Sequence, residues 1–252
     1  MIIVKAIHIA PIKSMGLEHP QTVYVGPAGI LEDRRYHLIN AQNKLLTQRD
    51  IGVMAQLKPE FHVDPEWLCL SFPDGTTLEG PIELGEAVVS QLWDRWVSSR
   101  IVSGDWGKTL SNFCGEPVRL ARSDEPYQCY DKYPISLMSQ ASLEEIDRRA
   151  NGPTTVDSRR FRPNILLSGC GSHEEDSWID SVVDIGRDFR LKIVARDPRC
   201  AITTLNPDTG DRDVDTLRLI LKYRPNPKAA YFGVYGIVDR PGSISVGDVV
   251  TT

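Results

Sequence analysis

The sequence predicts a mostly β fold, a β-barrel with a few accessory helices. Three observations lead there. The dominant hydrophobic period is two residues, Gly and Pro recur between the alternating runs, and strands do not alternate regularly with helices as a doubly wound sheet requires. The 252 residues suit one large domain or two small ones, long enough to bury a core without disulfide or metal staples.

The elements follow in chain order. Residues 3–9 alternate apolar and polar and read as the first strand. Residues 21–25 form a second, closed by Gly26-Pro27. A third at 36–40 turns through Ala41-Gln42-Asn43-Lys44 into a fourth at 45–47, a hairpin. Short strands are expected near 62–63, 68–72 and 76–78, with Pro73-Asp74-Gly75 turning between the last two. Residues 104–114 read as a helix, because Trp106, Leu110 and Phe113 recur at i, i+4, i+7. Residues 139–149 read as another. Ser139 is its N-cap, Leu143 and Ile146 face one way, and Glu144, Glu145, Asp147 and Arg148 face out. A third helix is expected over 213–223, with Leu217, Ile220 and Leu221 as its apolar stripe. Strands at 165–168, 191–195 and 231–238 follow, and turns at Pro241-Gly242 and Val246-Gly247-Asp248 close the chain. A composition shift near 115–125 suggests a boundary. The five Trp are expected in the core or at a domain interface.

Charge and cysteine usage exclude several function classes. A net charge of −5 and a pI near 5.6 argue against a general nucleic-acid binder, which carries a basic excess. No apolar run approaches the roughly 18 residues that span a bilayer. The start, Met1-Ile2-Ile3-Val4-Lys5, lacks the basic and long apolar stretches of a signal peptide, so a cytoplasmic location is expected. The five Cys are 15 or more positions apart with no CxxC, which disfavours an iron–sulfur cluster, structural zinc or a disulfide framework.

Four clusters hold chemistry. Pro11-Ile12-Lys13-Ser14 leaves the first strand, and its ammonium, hydroxyl and backbone N–H groups suit either an anionic oxygen or an ordinary solvated turn. Asp33-Arg34-Arg35-Tyr36 enters a strand, where the pleat would send one Arg into a pocket and the other into solvent; a surface pair is the alternative. Ser158-Arg159-Arg160-Phe161-Arg162-Pro163-Asn164 has three guanidinium groups in four residues, fit for a phosphate or carboxylate or for a solvated loop. Pro163 is expected to hold Arg162 extended. Arg196-Asp197-Pro198-Arg199-Cys200 follows a strand and a Pro turn. Nearby positive charge favours the thiolate form of a cysteine, which is both a nucleophile and a soft metal ligand. A buried apolar Cys is the alternative, and no His lies within 25 residues to pair with Cys200. Asp197 is either a proton relay or a surface carboxylate. The run Cys170-Gly171-Ser172-His173-Glu174-Glu175-Asp176 holds metal-capable side chains at a spacing that fits a polar loop better than zinc.

Taken in order, these segments resemble the MOSC family, β-barrel domains named after the C-terminal region of molybdenum-cofactor sulfurase. Residues 3–49, with Pro11-Ile12-Lys13-Ser14, Gly29-Ile30-Leu31-Glu32-Asp33-Arg34 and Leu46-Thr47-Gln48-Arg49, look like the N-terminal β-barrel region of larger members. Tyr133-Pro134-Ile135-Ser136-Leu137, Phe161-Arg162-Pro163-Asn164, Pro198-Arg199-Cys200 with Thr203-Thr204, and Phe232-Gly233-Val234-Tyr235 look like the MOSC domain itself. The pattern is similar above all to the amidoxime-reducing enzymes. The resemblance implies an N-terminal region over 1–118, of which 1–35 join the barrel, and a MOSC domain over 119–252.

It also implies a function. A molybdenum–molybdopterin cofactor would sit in the barrel, with Cys200 as metal ligand and catalytic centre. Lys13, Ser14, Arg34 and Arg162 would hold the pterin and its phosphate, Arg199 would lie beside the metal, and Asp131, Lys132, Tyr133 and Asn164 would pass close by. The activity implied is reduction of N-hydroxylated compounds. With no iron–sulfur cluster or pyridoxal phosphate expected on this chain, a separate ferredoxin, flavoprotein or cytochrome b5-like protein would supply electrons. No nucleic-acid or membrane partner is expected. A non-catalytic cofactor carrier or a sulfur-carrier protein is the alternative.

Overall fold

Seven strands close a barrel in the computed structural model, which describes residues 1–150, 156–226 and 228–252. Around the barrel the order is Ile2–Ile7, Ile165–Ser168, Ile135–Ser139, Tyr231–Arg240, Phe189–Pro198, Val182–Ile185 and Val249–Thr251, and the last pairs back onto the first. Only Ile135–Ser139 and Ile165–Ser168 run parallel. A parallel pair needs a crossover, and the intervening chain carries a helix. The α-helices among the described residues are α1 (Trp106–Cys114), α2 (Gln140–Ala150) and α3 (Thr216–Tyr223). None is long and apolar enough to cross a membrane.

Local chemistry fixes the helix ends. The Ser142 amide donates to Ser139 Oγ at 3.1 Å and starts α2, as the sequence predicts. Asp215 caps α3 by accepting from the Arg218 amide. Left-handed Gly115 ends α1, where a Cβ would be strained. Alternate residues of the barrel strands point inward, with a register shift between Val4 and Ala6 in the first strand that brings both Val4 and Ile7 inside. These two join Leu137, Ile165, Leu167, Phe189, Leu191 and Ile193 in one buried core. Each such side chain contributes about 1.5–3 kcal/mol of burial.

A five-stranded sheet lies beside the barrel, in the order Leu45–Leu46, Tyr36–Ile39, Arg119–Ser123, Arg95–Val102, Leu84–Leu92. Together with a three-stranded sheet (Lys58–His62, Trp67–Ser71, Thr77–Pro81) and α1 it encloses a second core around Tyr36, Leu38, Met54, Leu57, Leu68, Trp106 and Leu120. The strand expected near 62–63 runs upstream instead, over Lys58–His62. Pro59 interrupts its sequence pattern but is tolerated because the strand is at an edge. Alternation passes over the hairpin Leu84–Leu92/Arg95–Val102, whose turn, Trp93-Asp94, has neither Gly nor Pro. Gly242, expected in a turn with Pro241, instead begins a strand, Gly242–Ser245, paired with Thr22–Val25.

Candidate functional site

Where the barrel meets the five-stranded sheet, a cavity of about 300 Å³ opens. Lys13, Ser14, Arg34, Asp131, Lys132, Tyr133, Arg162, Asn164, Arg199 and Cys200 all line it, with Arg49, Trp93, Tyr130, Phe161, Asp197 and Tyr235.

Backbone geometry brings these residues together. After the first strand the chain forms a bridge from Ile12 to Tyr36, and Lys13 N donates to Tyr36 O at 2.8 Å. Ser14 then takes φ 66°. Arg34 takes φ 54°, its amide donating to Ala10 O, while Asp33 Oδ1 accepts from Ala10 N at 2.8 Å. Arg162 takes φ 51° and Trp93 φ 55°. Half of the eight non-glycine residues found at positive φ among the described residues therefore line this one cavity. Each costs about 1–3 kcal/mol and persists only where the surroundings enforce it.

The charges are arranged unevenly. Lys13 is 4% exposed, donating to Cys129 O at 2.8 Å and to Asp131 Oδ1 at 2.7 Å, with its ammonium 4.7 Å from the Trp93 ring centre. Burial lowers its pKa and Asp131 opposes that. Burial raises Asp131 in turn, but Lys13 and then Arg34 outweigh it and hold this carboxylate well below its usual range. Burial works against the Arg34 charge, yet Asp33 and Asp131 raise it, and Asp33 is its ion-pair partner. Arg162 differs: burial, then the like charge of Arg34, pull it down to about 10, and its buried Nη2 has no hydrogen-bond partner among the described residues. Asp197 is buried and pushed up to about 6 by burial, against the pull of Arg199. Arg199 Nη2 comes within 2.8 Å of Asp197 Oδ2, but off the hydrogen-bond direction, so neither atom has a formed bond. The Cys200 thiol is exposed at the cavity wall, just before the short 3-10 turn Ala201–Thr204.

Several expectations need correction. Of the three clustered arginines only Arg162 reaches this cavity. Arg160 is locked to Asp213 and Leu205 O, and Arg159 to Asp157 and Asp208, partners that lie far away or across a turn. Pro163 does not hold Arg162 extended; between the turn at Ser158–Arg160 and the strand that begins at Ile165, Arg162 takes the left-handed φ of 51°. Arg34 and Arg35 are separated by the left-handed turn rather than by a pleat, and Arg35 lies buried against Ser123 and Asp124 instead of in solvent. Asp197 is not a surface carboxylate. Trp93 and Trp96 are 42% and 68% exposed, outside any core.

Two of the nominated side chains already have structural work. Asn164 accepts from Ser136 N and donates to Asp33, and Arg199 donates to Phe232 O and Phe161 O, each at 2.7 Å. In the run at 170–176, Glu175 accepts from Ser139 N and His173 meets Tyr223. Trp93, Tyr130 and Tyr235 were not singled out by sequence reasoning; the one usable signal was an aromatic residue in a turn.

The arrangement is a small chamber with a cationic wall, a guanidinium nitrogen of Arg162 that is buried without a partner among the described residues, and the accessible sulfur of Cys200. That donor set fits an anionic group carrying a soft metal.

The MOSC domain model matches residues 124–251, and that of the MOSC N-terminal beta barrel domain matches residues 1–117. The mitochondrial amidoxime-reducing component 1 of Mus musculus is 40% identical over 129 residues, covering 48% of this chain and 36% of the mouse protein. The matched stretch thus spans little more than a third of that relative. The Xenopus laevis protein of the same name is 29% identical over 287 residues, covering 98% of this chain and 81% of its own. The crystal structure of the YUAD protein from Bacillus subtilis aligns over 99% of this chain and 94% of its own, with 15% identity and a TM-score of 0.47. With one family domain matching over half of its residues and the N-terminal companion most of the rest, the chain belongs to the MOSC domain family.

Proposed function

We propose that this chain is a molybdenum-cofactor-binding oxidoreductase that reduces N-hydroxylated compounds. The observation that carries the reading is the pairing of an exposed Cys200 thiol with an unpartnered Arg162 guanidinium in one cation-lined chamber. Relatives named amidoxime-reducing components favour that reaction.

In this reading Cys200 supplies the thiolate that ligates molybdenum. Lys13, Ser14, Arg34 and Arg162 hold the pterin and its phosphate; a phosphate oxygen gives Arg162 Nη2 the partner it lacks. Asp131, Lys132 and Tyr133 flank the group. Arg199 and Asn164 act by fixing the wall, since their bonds join Phe161, Phe232, Ser136 and Asp33. When bound, the cofactor supplies two-electron removal of oxygen from an N–O bond. The chain's own residues bind it, orient it and shield it. Residues 119–252 act as the cofactor domain, with Lys13, Ser14 and Arg34 lent by the region over 1–118. The reductant is a separate protein of the ferredoxin, flavoprotein or cytochrome b5 type.

The test is metal analysis of protein made in a host that produces molybdenum cofactor, with Cys200→Ala alongside. Near-stoichiometric molybdenum in the wild type and at least a tenfold loss in the variant are expected. Reductive turnover of an amidoxime with an artificial donor then separates an enzyme from a carrier, which would release its cofactor without turnover. Absence of molybdenum from both proteins, under conditions that load a known family member, sinks the reading.

A further inference from the structure

Trp93 occupies an unusual position. It is the first residue of the two-residue turn between the paired Leu92 and Arg95, and its φ is 55°. A positive φ at that point normally selects glycine, because a side chain there crowds the backbone. The indole is also 42% exposed, so core burial does not compensate for the strain. The surroundings nevertheless hold it in place. Gln91 Nε2 donates to Trp93 O, the Gln91 amide donates to Asn43 O, and Arg95 Nη2 donates to Tyr130 O at 2.5 Å. The turn is thereby tied to the segment that carries Asp131. The indole approaches the Lys13 ammonium and still lines the cavity. Tyr133 and Tyr235, ring centres 5.6 Å apart, line the same chamber.

The Lys13 ammonium lies over the ring at 4.7 Å, and the 42% exposure of this strained aromatic at the chamber wall leaves the rest of its π surface open to a ligand. We infer that Trp93 is a specificity-determining residue that selects planar, π-conjugated substrates by stacking on them. The inference rests on the reductase reading and deepens it: the N-hydroxyl group presents itself to the reacting centre, and Trp93 holds the flat body of the molecule to which that group is attached. Saturated, non-planar N-hydroxy compounds present no face to stack and gain little there.

The experiment compares wild type, Trp93→Ala and Trp93→Phe on two substrates with the same reacting group, an aromatic amidoxime and an open-chain aliphatic one. Trp93→Ala is expected to raise KM for the aromatic compound about tenfold with kcat nearly kept, the magnitude of one lost stacking contact. The rise for the aliphatic compound is expected to be far smaller, and Trp93→Phe recovers most of the preference. Equal effects on both substrates overturn the inference. So does a fall in molybdenum content in Trp93→Ala, which would make the indole a prop for Lys13. Calorimetric binding of the aromatic amidoxime gives a readout without turnover. If the wild type reduces neither compound, the reductase reading fails, yet weaker binding by Trp93→Ala still upholds the stacking role and unchanged binding removes it.

Discussion

Replacing Arg162 with methionine should make the protein more stable while removing its anion affinity. The guanidinium lies beside Arg34, and burial together with that like charge pulls it down from its ordinary value to about 10. A lowered folded-state value for a base means the folded chain holds the charge less readily than the unfolded chain does. At pH 7 both states are charged, so the whole penalty is present; it would fade only as pH rises through about 10 toward the ordinary arginine range. Some 2.5 units at 1.36 kcal/mol each give about 3 kcal/mol as an upper bound. Partial exposure reduces this to about 1–2 kcal/mol. Methionine keeps an unbranched, though shorter, side chain and the same backbone strain, so the difference reads mainly the charged head group. The assay is urea unfolding at pH 7, repeated with inorganic phosphate. Wild type should gain about 1.4 kcal/mol at a phosphate concentration tenfold above its Kd, and the variant almost nothing. An Arg162→Met protein less stable than wild type by 1 kcal/mol or more would refute the argument, since the guanidinium would then be making favourable contacts. Arg160→Met is the contrasting control. That guanidinium is paired with Asp213 at 2.6 Å, so its loss should destabilise by about 2–4 kcal/mol.

Two further outcomes are expected. Burial, with Lys13 adding to it, lowers His37 to about 3, so the folded state keeps this ring neutral while the unfolded chain takes up a proton near 6.5. Its contribution is fully present above pH 6.5 and is lost as pH falls toward 3. Glu18 and Asp197, raised to about 7 and about 6 chiefly by burial, act in the opposite sense. The difference between wild type and His37→Gln isolates the ring: the stability change from pH 7 to 5 should shift by about 2 kcal/mol in the variant's favour. An unchanged pH dependence in urea unfolding contradicts the assignment. Gly233→Ala should lower the melting temperature by several degrees, because φ is 78° and a Cβ would meet Leu137 O at 2.7 Å and Arg199 Nη2 at 3.2 Å. Thermal denaturation with a calorimetric endpoint checks it.

Local signals carried much of the fold. The Ser139 cap, the two-residue alternation of the first strand and the i, i+4 spacing of Trp106 and Leu110 each depend on neighbours a few positions away, so the sequence by itself determined them. Residue chemistry also marked Lys13, Arg34, Arg162 and Cys200 as candidates, because few residue types bind an anion or a soft metal. Where each side chain points was another matter. Arg160 and Arg162 are two positions apart, yet Asp213, 53 residues onward, claims the first and no described residue pairs with the second. Arg34 and Arg35 part company at a left-handed turn set by Ala10. Trp93 reaches the chamber only because its hairpin leans over a loop from elsewhere in the chain. Periodicity and composition report what a residue prefers beside its neighbours in sequence. Pairing across the fold, which only the tertiary structure decides, determines which charge is neutralised and which is left free to bind.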